Sequence, residues 1–142
     1  MQVQSESLDS AVAQFQRIVE LDNTFIDGFV QLGHCHFKLG NNDEAIKAYL
    51  RAIRVANLTQ TEIKDQLVYQ RAGHIYIKEE KWEDARVMFL MCAENYKTAF
   101  SYFNLGVASY NLGEFDEAER VLSLVNYMDP LHAKTWAYLC LV

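Results

Sequence analysis

Apolar residues return along this chain in two alternating helical ladders. Phe29, Leu32, Gly33, His36 and Gly40 stand at i, i+3, i+4, i+7 and i+11, and the set Tyr69, Ala72, Gly73, Tyr76, Glu80 repeats that spacing. Tyr102, Leu105, Gly106, Ser109 and Gly113 repeat it again. Such spacing gathers each set on one face of a helix. A second ladder follows each first one: Ala45, Tyr49, Ala52, Val55; then Ala85, Phe89, Cys92, Asn95; then Ala118, Leu122, Val125, Met128. The pattern predicts repeats of two short amphipathic helices joined by a tight turn. The phrases LDSAVAQF, NNDEAIKAY, KWEDARVMF and EFDEAERVL recur at alanine intervals of 34, 40 and 33 residues. A period of that length signifies stacked helix pairs rather than a single globule, and stacked pairs make extended binding surfaces.

Punctuation residues set the boundaries. Gly40 and Gly113 stand where a first helix should end in the left-handed conformation. Glu80 holds that place in the middle repeat, so its turn must close differently or carry strain. Pro130 stops the last second helix. Thr59 and Glu62 have capping-box spacing, which predicts a helix start near Gln60. Extending the middle repeat's first helix backward through TEIKDQLV then accounts for the 40-residue interval. Gly33, Gly73 and Gly106 are expected to let paired helices approach closely, met by Ala45, Ala85 and Ala118. Gly106→Leu is accordingly expected to overpack its contact. The predicted segments are a half-repeat with only a second helix at 8–25, repeats at 26–59, 60–98 and 99–132, and a lone first helix at 133–142.

These residues carry a resemblance. F-x2-L-G-x2-H from Phe29, Y-x2-A-G-x2-Y from Tyr69 and Y-x2-L-G-x2-S from Tyr102 resemble the W-x2-L-G-x2-Y signature of the tetratricopeptide repeat. Ala45-Tyr49-Ala52, Ala85-Phe89-Cys92 and Ala118-Leu122-Val125 resemble its A-x3-F-x2-A continuation. Pro130 supplies the closing proline, which Asn57 and Lys97 replace elsewhere. The resemblance implies an all-α, right-handed superhelical solenoid of antiparallel helix pairs, a single array over residues 1–142. At the ends, LDSAVAQFQRIVELD matches a second helix and AKTWAYLCLV a first helix. Leu139, Leu141 and Val142 would lie bare there, so the chain is expected to be a piece of a longer protein or to pack end-on. The strings AGHIYIKEEKWEDAR and TWAYLCLV resemble the C-terminal repeats of a cilia- and flagella-associated tetratricopeptide protein, which implies an axonemal location.

Composition narrows the classes. Hydrophobic residues make up 51% and charged residues 23% of the chain, in the globular range. A formal net charge of −6 argues against a general nucleic-acid binder. No apolar run reaches membrane-span length, and MQVQSES is no secretory signal. Cys35, Cys92 and Cys140, odd in number and without a CxxC pair, read as reduced thiols of an intracellular, cytoplasmic protein.

The first helices of a tetratricopeptide array line a concave groove. Helical geometry places Asp27, Val30, Gln31, His34, Phe37 and Lys38 on the groove stripe of the first repeat. Leu67, Gln70, Arg71, His74, Ile77 and Lys78 follow in the middle one. The third supplies Phe100, Phe103, Asn104, Val107, Tyr110 and Asn111, and the terminal helix Lys134, Ala137, Tyr138 and Leu141. Of 13 basic and 19 acidic residues, four basic and one acidic fall on the stripe, which carries +3 against −9 for the rest. This contrast predicts a protein or peptide partner presenting an acidic, partly apolar segment. Val30, His34, Phe37, Lys38, Arg71, His74, Lys78, Phe100, Phe103, Asn104, Tyr110, Lys134 and Tyr138 are the predicted contacts. The alternative is a structural element of a large assembly that uses its ends or convex face. About half of the apolar members Phe37, Ile77, Phe100, Phe103, Tyr110 and Tyr138 are expected to touch a partner, and the others to pack on the next repeat. The clamp with which chaperone-binding relatives hold a C-terminal carboxylate is missing, since Val30, His34, Arg71 and Phe100 replace its Lys and Asn residues.

No catalytic group, metal site or cofactor is predicted. His34, Cys35 and His36 point about 100° apart on a helix and cannot converge on one ion. His36 and Cys35 read as core. His34 and His74, at equivalent stripe positions, read as exposed groove polarity. The acidic phrases NNDEA, EKWEDA and GEFDEA place Asp and Glu in first turns, where they complement the helix dipole.

Overall fold

The computed structural model describes residues 2–142, with side chains from Glu6 onward. Among them, all regular structure is helical: α1 (Gln2–Leu21), α2 (Ile26–Leu39), α3 (Asn42–Leu58), α4 (Leu67–Lys78), α5 (Trp82–Asn95), α6 (Ala99–Asn111), α7 (Phe115–Met128) and α8 (Ala133–Leu141). The described residues form two compact bodies, up to residue 68 and from 69 to 142. Helix α1 begins at Gln2, six residues before the sequence pattern places its start at Leu8.

In the N-terminal body, α2 packs against both α1 and α3. A Cβ on Gly28 would stand 3.0 Å from Val19 Cγ1, so a glycine marks where α1 and α2 cross. In the C-terminal body α6 packs against α5 and α7, and α7 against α8. Buried Phe89, Ala93 and Leu105 form its core, with Ile77, Leu90, Tyr102 and Val121 packed on it.

The glycines do bring paired helices together, but not onto the alanines. A Cβ on Gly33 would meet Tyr49 Cε1 at 2.5 Å, one on Gly73 Phe89 Cε2 at 2.6 Å, and one on Gly106 Leu122 Cδ2 at 2.7 Å. Each of these side chains stands one turn beyond the alanine expected to make the contact. An alanine methyl is too short to fill the groove that a missing Cβ leaves, whereas a ring or leucine reaches across and fills it. Ala45, Ala85 and Ala118 are themselves fully buried.

The three helix-pair turns share one geometry. Gly40 N bonds to Phe37 O (3.1 Å) and Asn41 N to His36 O (2.9 Å). Glu80 N bonds to Ile77 O (3.0 Å) and Lys81 N to Tyr76 O (2.9 Å), and Gly113 and Glu114 repeat the pattern. Residues Gly40 and Gly113 take φ of 82° and 81°, and Glu80 takes 57°. The middle turn therefore closes in the same way and carries the strain of a left-handed non-glycine residue.

The backward extension of the middle repeat's first helix does not form. Thr59 ends α3 rather than starting a helix, and its hydroxyl donates to Val55 O (2.8 Å). Gln60 turns into the left-handed region at φ 53°, and residues 61–65 are irregular. Asp65 Oδ1 accepts from Leu67 N (3.0 Å), which fixes the start of α4 there. Asp65, in this local contact, outcompetes the Thr59–Glu62 capping box.

Candidate partner-binding site

In the N-terminal body the groove stripe of α2 is partly covered. Val30 and His34 are buried at 3% and 8% exposure, Phe37 is half-buried and Lys38 exposed. His34 is thus not the exposed groove polarity expected of it. Residues 61–66 form a strap whose Ile63 is buried, and whose Asp65 lays Oδ2 2.7 Å from His34 Nε2. His34 Nδ1 lies 2.7 Å from the Tyr49 hydroxyl, and the two rings meet edge-on at 5.4 Å. A carboxylate can only accept, so Nε2 carries a proton; Nδ1 accepts from the Tyr49 hydroxyl in the neutral ring and donates to it in the charged one. One hydrogen-bonded line therefore runs from α3 through α2 to the strap. A cleft of about 420 Å³ remains between the α1–α2 turn and the strap, lined by Thr24, Phe25, Asp27, Val30, Thr61 and Ile63 among others.

The C-terminal body holds the remaining stripe residues. On α4, His74 and Lys78 are exposed and Arg71 is half-buried, spaced to share one face. Ile77 turns inward onto the Phe89–Leu105 core instead. Phe100 is 53% exposed and touches the Phe89 ring edge-on at 6.4 Å. Thr98 sets this start of α6, its Oγ1 accepting from Ser101 N (3.2 Å). Phe103 and Tyr110, two turns apart on α6, both meet Tyr138 of α8, at 6.0 and 5.4 Å between centroids. Phe103 also meets the His132 ring at a tilt, 4.7 Å between centroids, and Tyr110 meets Phe115 edge-on at 5.5 Å. His132 caps α8 by accepting from Thr135 N at 3.3 Å. The Asn104 amide donates to Phe100 O at 2.9 Å, which leaves its carbonyl available. Lys134 is exposed, one turn before Tyr138. The structure thus joins Phe103, Tyr110 and Tyr138 in one half-buried aromatic row. At the end of α8, Leu141 and Val142 are exposed and Leu139 is half-buried.

One network escaped the sequence pattern. Arg86 of α5 grips Glu117 of α7 with Nε to Oε2 at 2.8 Å and Nη2 to Oε1 at 2.7 Å. Ser109 Oγ lies 2.8 Å from Glu117 Oε2 and 2.9 Å from Leu105 O, and its single proton serves one at a time. The Arg86 hydrogen bonds hold the Glu117 carboxyl below the usual range, and burial opposes them in part. The available signal was a pair of opposite charges flanking the equivalent alanines Ala85 and Ala118. Glu117 is therefore more than a residue that complements a helix dipole. Burial raises the Cys35 and Cys92 thiols above their ordinary value. No described helix is long and apolar enough to cross a membrane.

Comparison with known proteins follows the same lines. The family model described as the Cilia and flagella-associated protein 70 C-terminal domain matches residues 1–142. The human Cilia- and flagella-associated protein 70 is 34% identical over 110 residues, covering 78% of this chain and 10% of the human protein. The chain thus spans about a tenth of that relative's length. The crystal structure of YrrB, described as a TPR protein with an unusual peptide-binding site, matches with TM-score 0.80 at 20% identity, over 96% of this chain and 68% of that one. MamA matches with TM-score 0.76 at 15% identity, over 97% and 78%. The fold is the tetratricopeptide-type solenoid that these structures share.

Proposed function

The chain belongs to the family of the Cilia and flagella-associated protein 70 C-terminal domain, and we propose that it is a protein-interaction module of a longer, cilium-associated protein. Its helix pairs are read as one array, with repeats at 26–59, 60–98 and 99–132 and half-repeats at either side. The partner presents an acidic, partly apolar segment to the first helices of the C-terminal body. The observation that carries this reading is the Phe103–Tyr138–Tyr110 row, half-buried and therefore half-offered, beside exposed Phe100. Rigid aromatic edges are efficient interface anchors, since little side-chain freedom remains to be lost on binding. Exposed His74 and Lys78 lie on α4 and exposed Lys134 on α8, also first helices of that body, in a chain of net charge −6. They favour approach of an acidic segment over a basic one.

The test is crosslinking with mass spectrometry on the full-length protein in cells, wild type against Phe103→Ala/Lys134→Glu. Wild type should give crosslinks from Lys78 and Lys134 to an acidic partner segment, and the double variant should lose that partner. Equal recovery of the same partner by both proteins refutes the reading. A second reading, a structural element contacting neighbours through α8, is favoured by Leu141 at 64% exposure. It requires concentration-dependent self-association in sedimentation, relieved by Leu141→Gln.

A further inference from the structure

The strap before α4 has a composition and a seat that helix pairing does not require. The 40-residue interval exceeds its 34-residue neighbour by six residues, and residues 61–66 make that length. They read TEIKDQ, two acids and one lysine around one apolar side chain, for a net charge of −1. Ile63 is 5% exposed and lines the same cleft as Val30. Two residues on, the Asp65 carboxylate accepts from His34. Val30 and His34 are stripe positions of the first repeat. An acidic, partly apolar segment already lies where one from a partner would bind.

We infer that residues 61–66 are a built-in occupant of the α2 stripe, which a partner segment reaches only by displacing them. The ligand chemistry follows from the strap itself: an apolar side chain for the cleft at Val30, then a carboxylate two positions later for His34. Entry is through the cleft's open side, where Phe25 is 42% exposed. The tether gives the strap an effective concentration on the order of millimolar, so a free segment of equal intrinsic affinity competes poorly. The inference rests on the reading that first-helix stripes take acidic, partly apolar segments, applied here to α2; its test involves only residues 24–67, apart from the aromatic row of the C-terminal body on which the proposed function stands.

The experiment replaces residues 61–66 with a glycine-serine stretch of equal length and titrates it with the synthetic peptide TQTEIKDQL. Saturable NMR shifts are expected at the Val30 and His34 amides, with apparent affinity at least about tenfold weaker in the wild-type chain. Peptides carrying the Ile63→Ser or Asp65→Ala change should fail to bind. A folded replacement chain without shifts, or wild type binding as tightly, overturns the inference. Asp65→Ala in the otherwise intact chain gives an independent readout by hydrogen exchange. Amides 62–65 should exchange at least about tenfold faster while α2 and α3 keep their protection. Unchanged exchange in the strap, or collapse of α2 and α3 with it, overturns the inference equally.

Discussion

Gly73→Ala tests directly how the α4–α5 pair is held. The added Cβ would stand 2.6 Å from Phe89 Cε2 and 2.7 Å from Cζ, where ordinary contact begins at 3.4 Å. About 0.8 Å must be found somewhere. Phe89 is 1% exposed and its ring is packed with Ala93 and Leu105, so it has little room to retreat. The helices must part instead. With ring atoms this close and unable to retreat, overpacking falls in the upper part of its usual range, roughly 2–3 kcal/mol, against about 1 kcal/mol gained from alanine's helix propensity. A net loss of about 1–2 kcal/mol is expected, a drop in melting temperature of roughly 3–8 °C. The assay is urea unfolding of wild type, Gly73→Ala, Phe89→Leu and the double variant. Leucine presents no ring edge to the new methyl, so the double variant should lose less than the two single losses added, with a coupling of at least about 0.5 kcal/mol. Gly73→Ala as stable as wild type, or strict additivity, refutes the close approach as the reason for the glycine.

Three further outcomes follow from other contacts. Glu80→Gly should stabilise by about 0.5–1 kcal/mol, since it relieves a left-handed residue at φ 57° and keeps the turn's hydrogen bonds; a lower melting temperature contradicts this. Glu117→Gln should cost about 1–2 kcal/mol at neutral pH, as Arg86 loses its bidentate acceptor. Because the Glu117 pKa is lowered in the fold, its contribution is complete above the ordinary value near 4.5 and is lost as pH falls from there through the folded value. Stability measured between pH 6 and 3 should therefore fall less steeply in Glu117→Gln than in wild type. In a thiol-labelling time course Cys140 should react first, with Cys35 and Cys92 waiting for local opening, since only Cys140 is exposed and burial raises the other two.

Most of the helix-pair architecture was legible because it depends on spacing alone. Gly33, Gly73 and Gly106 announced close approach, and Gly40 and Gly113 announced helix ends. What they approach was less legible, because an alanine recurring in register and a ring or leucine four residues on both suit a packed face. Only the distance across the pair distinguishes Tyr49 from Ala45. The strap was illegible for a different reason. Thr59–Glu62 and Asp65–Leu67 are both competent local caps, and the choice between them is tertiary: Asp65 is also held by His34, thirty-one residues earlier. The period put Phe103, Tyr110 and Tyr138 on one expected stripe, but a period cannot reveal that Tyr138 touches the other two. The Arg86–Glu117 pair lies thirty-one residues apart on two second helices, where the helical period carries no information about charge partners.

His34 and His74 hold the same position in successive repeats, yet one is buried beneath a strap and the other exposed. The difference comes from six residues at a repeat boundary, and their energetics say what kind of cover they make. Ordering six backbone residues costs roughly 6 kcal/mol at the lower end of the usual range. Burying Ile63 returns about 2–3 kcal/mol, the hydrogen bond between His34 and the Asp65 carboxylate about 1.5–3 kcal/mol, and the Asp65 cap on α4 about 1 kcal/mol. Ile63, Lys64 and Gln66 make further contacts. The strap is seated by these modest contacts together, and its tether keeps it near. It yields to any partner that offers the same two contacts and brings binding energy from elsewhere along its length. A strap of leucines would have sealed the face permanently, and one of glycines would have left it open. With one isoleucine and one aspartate, the α2 face of the N-terminal body is closed by default and can be opened by displacement.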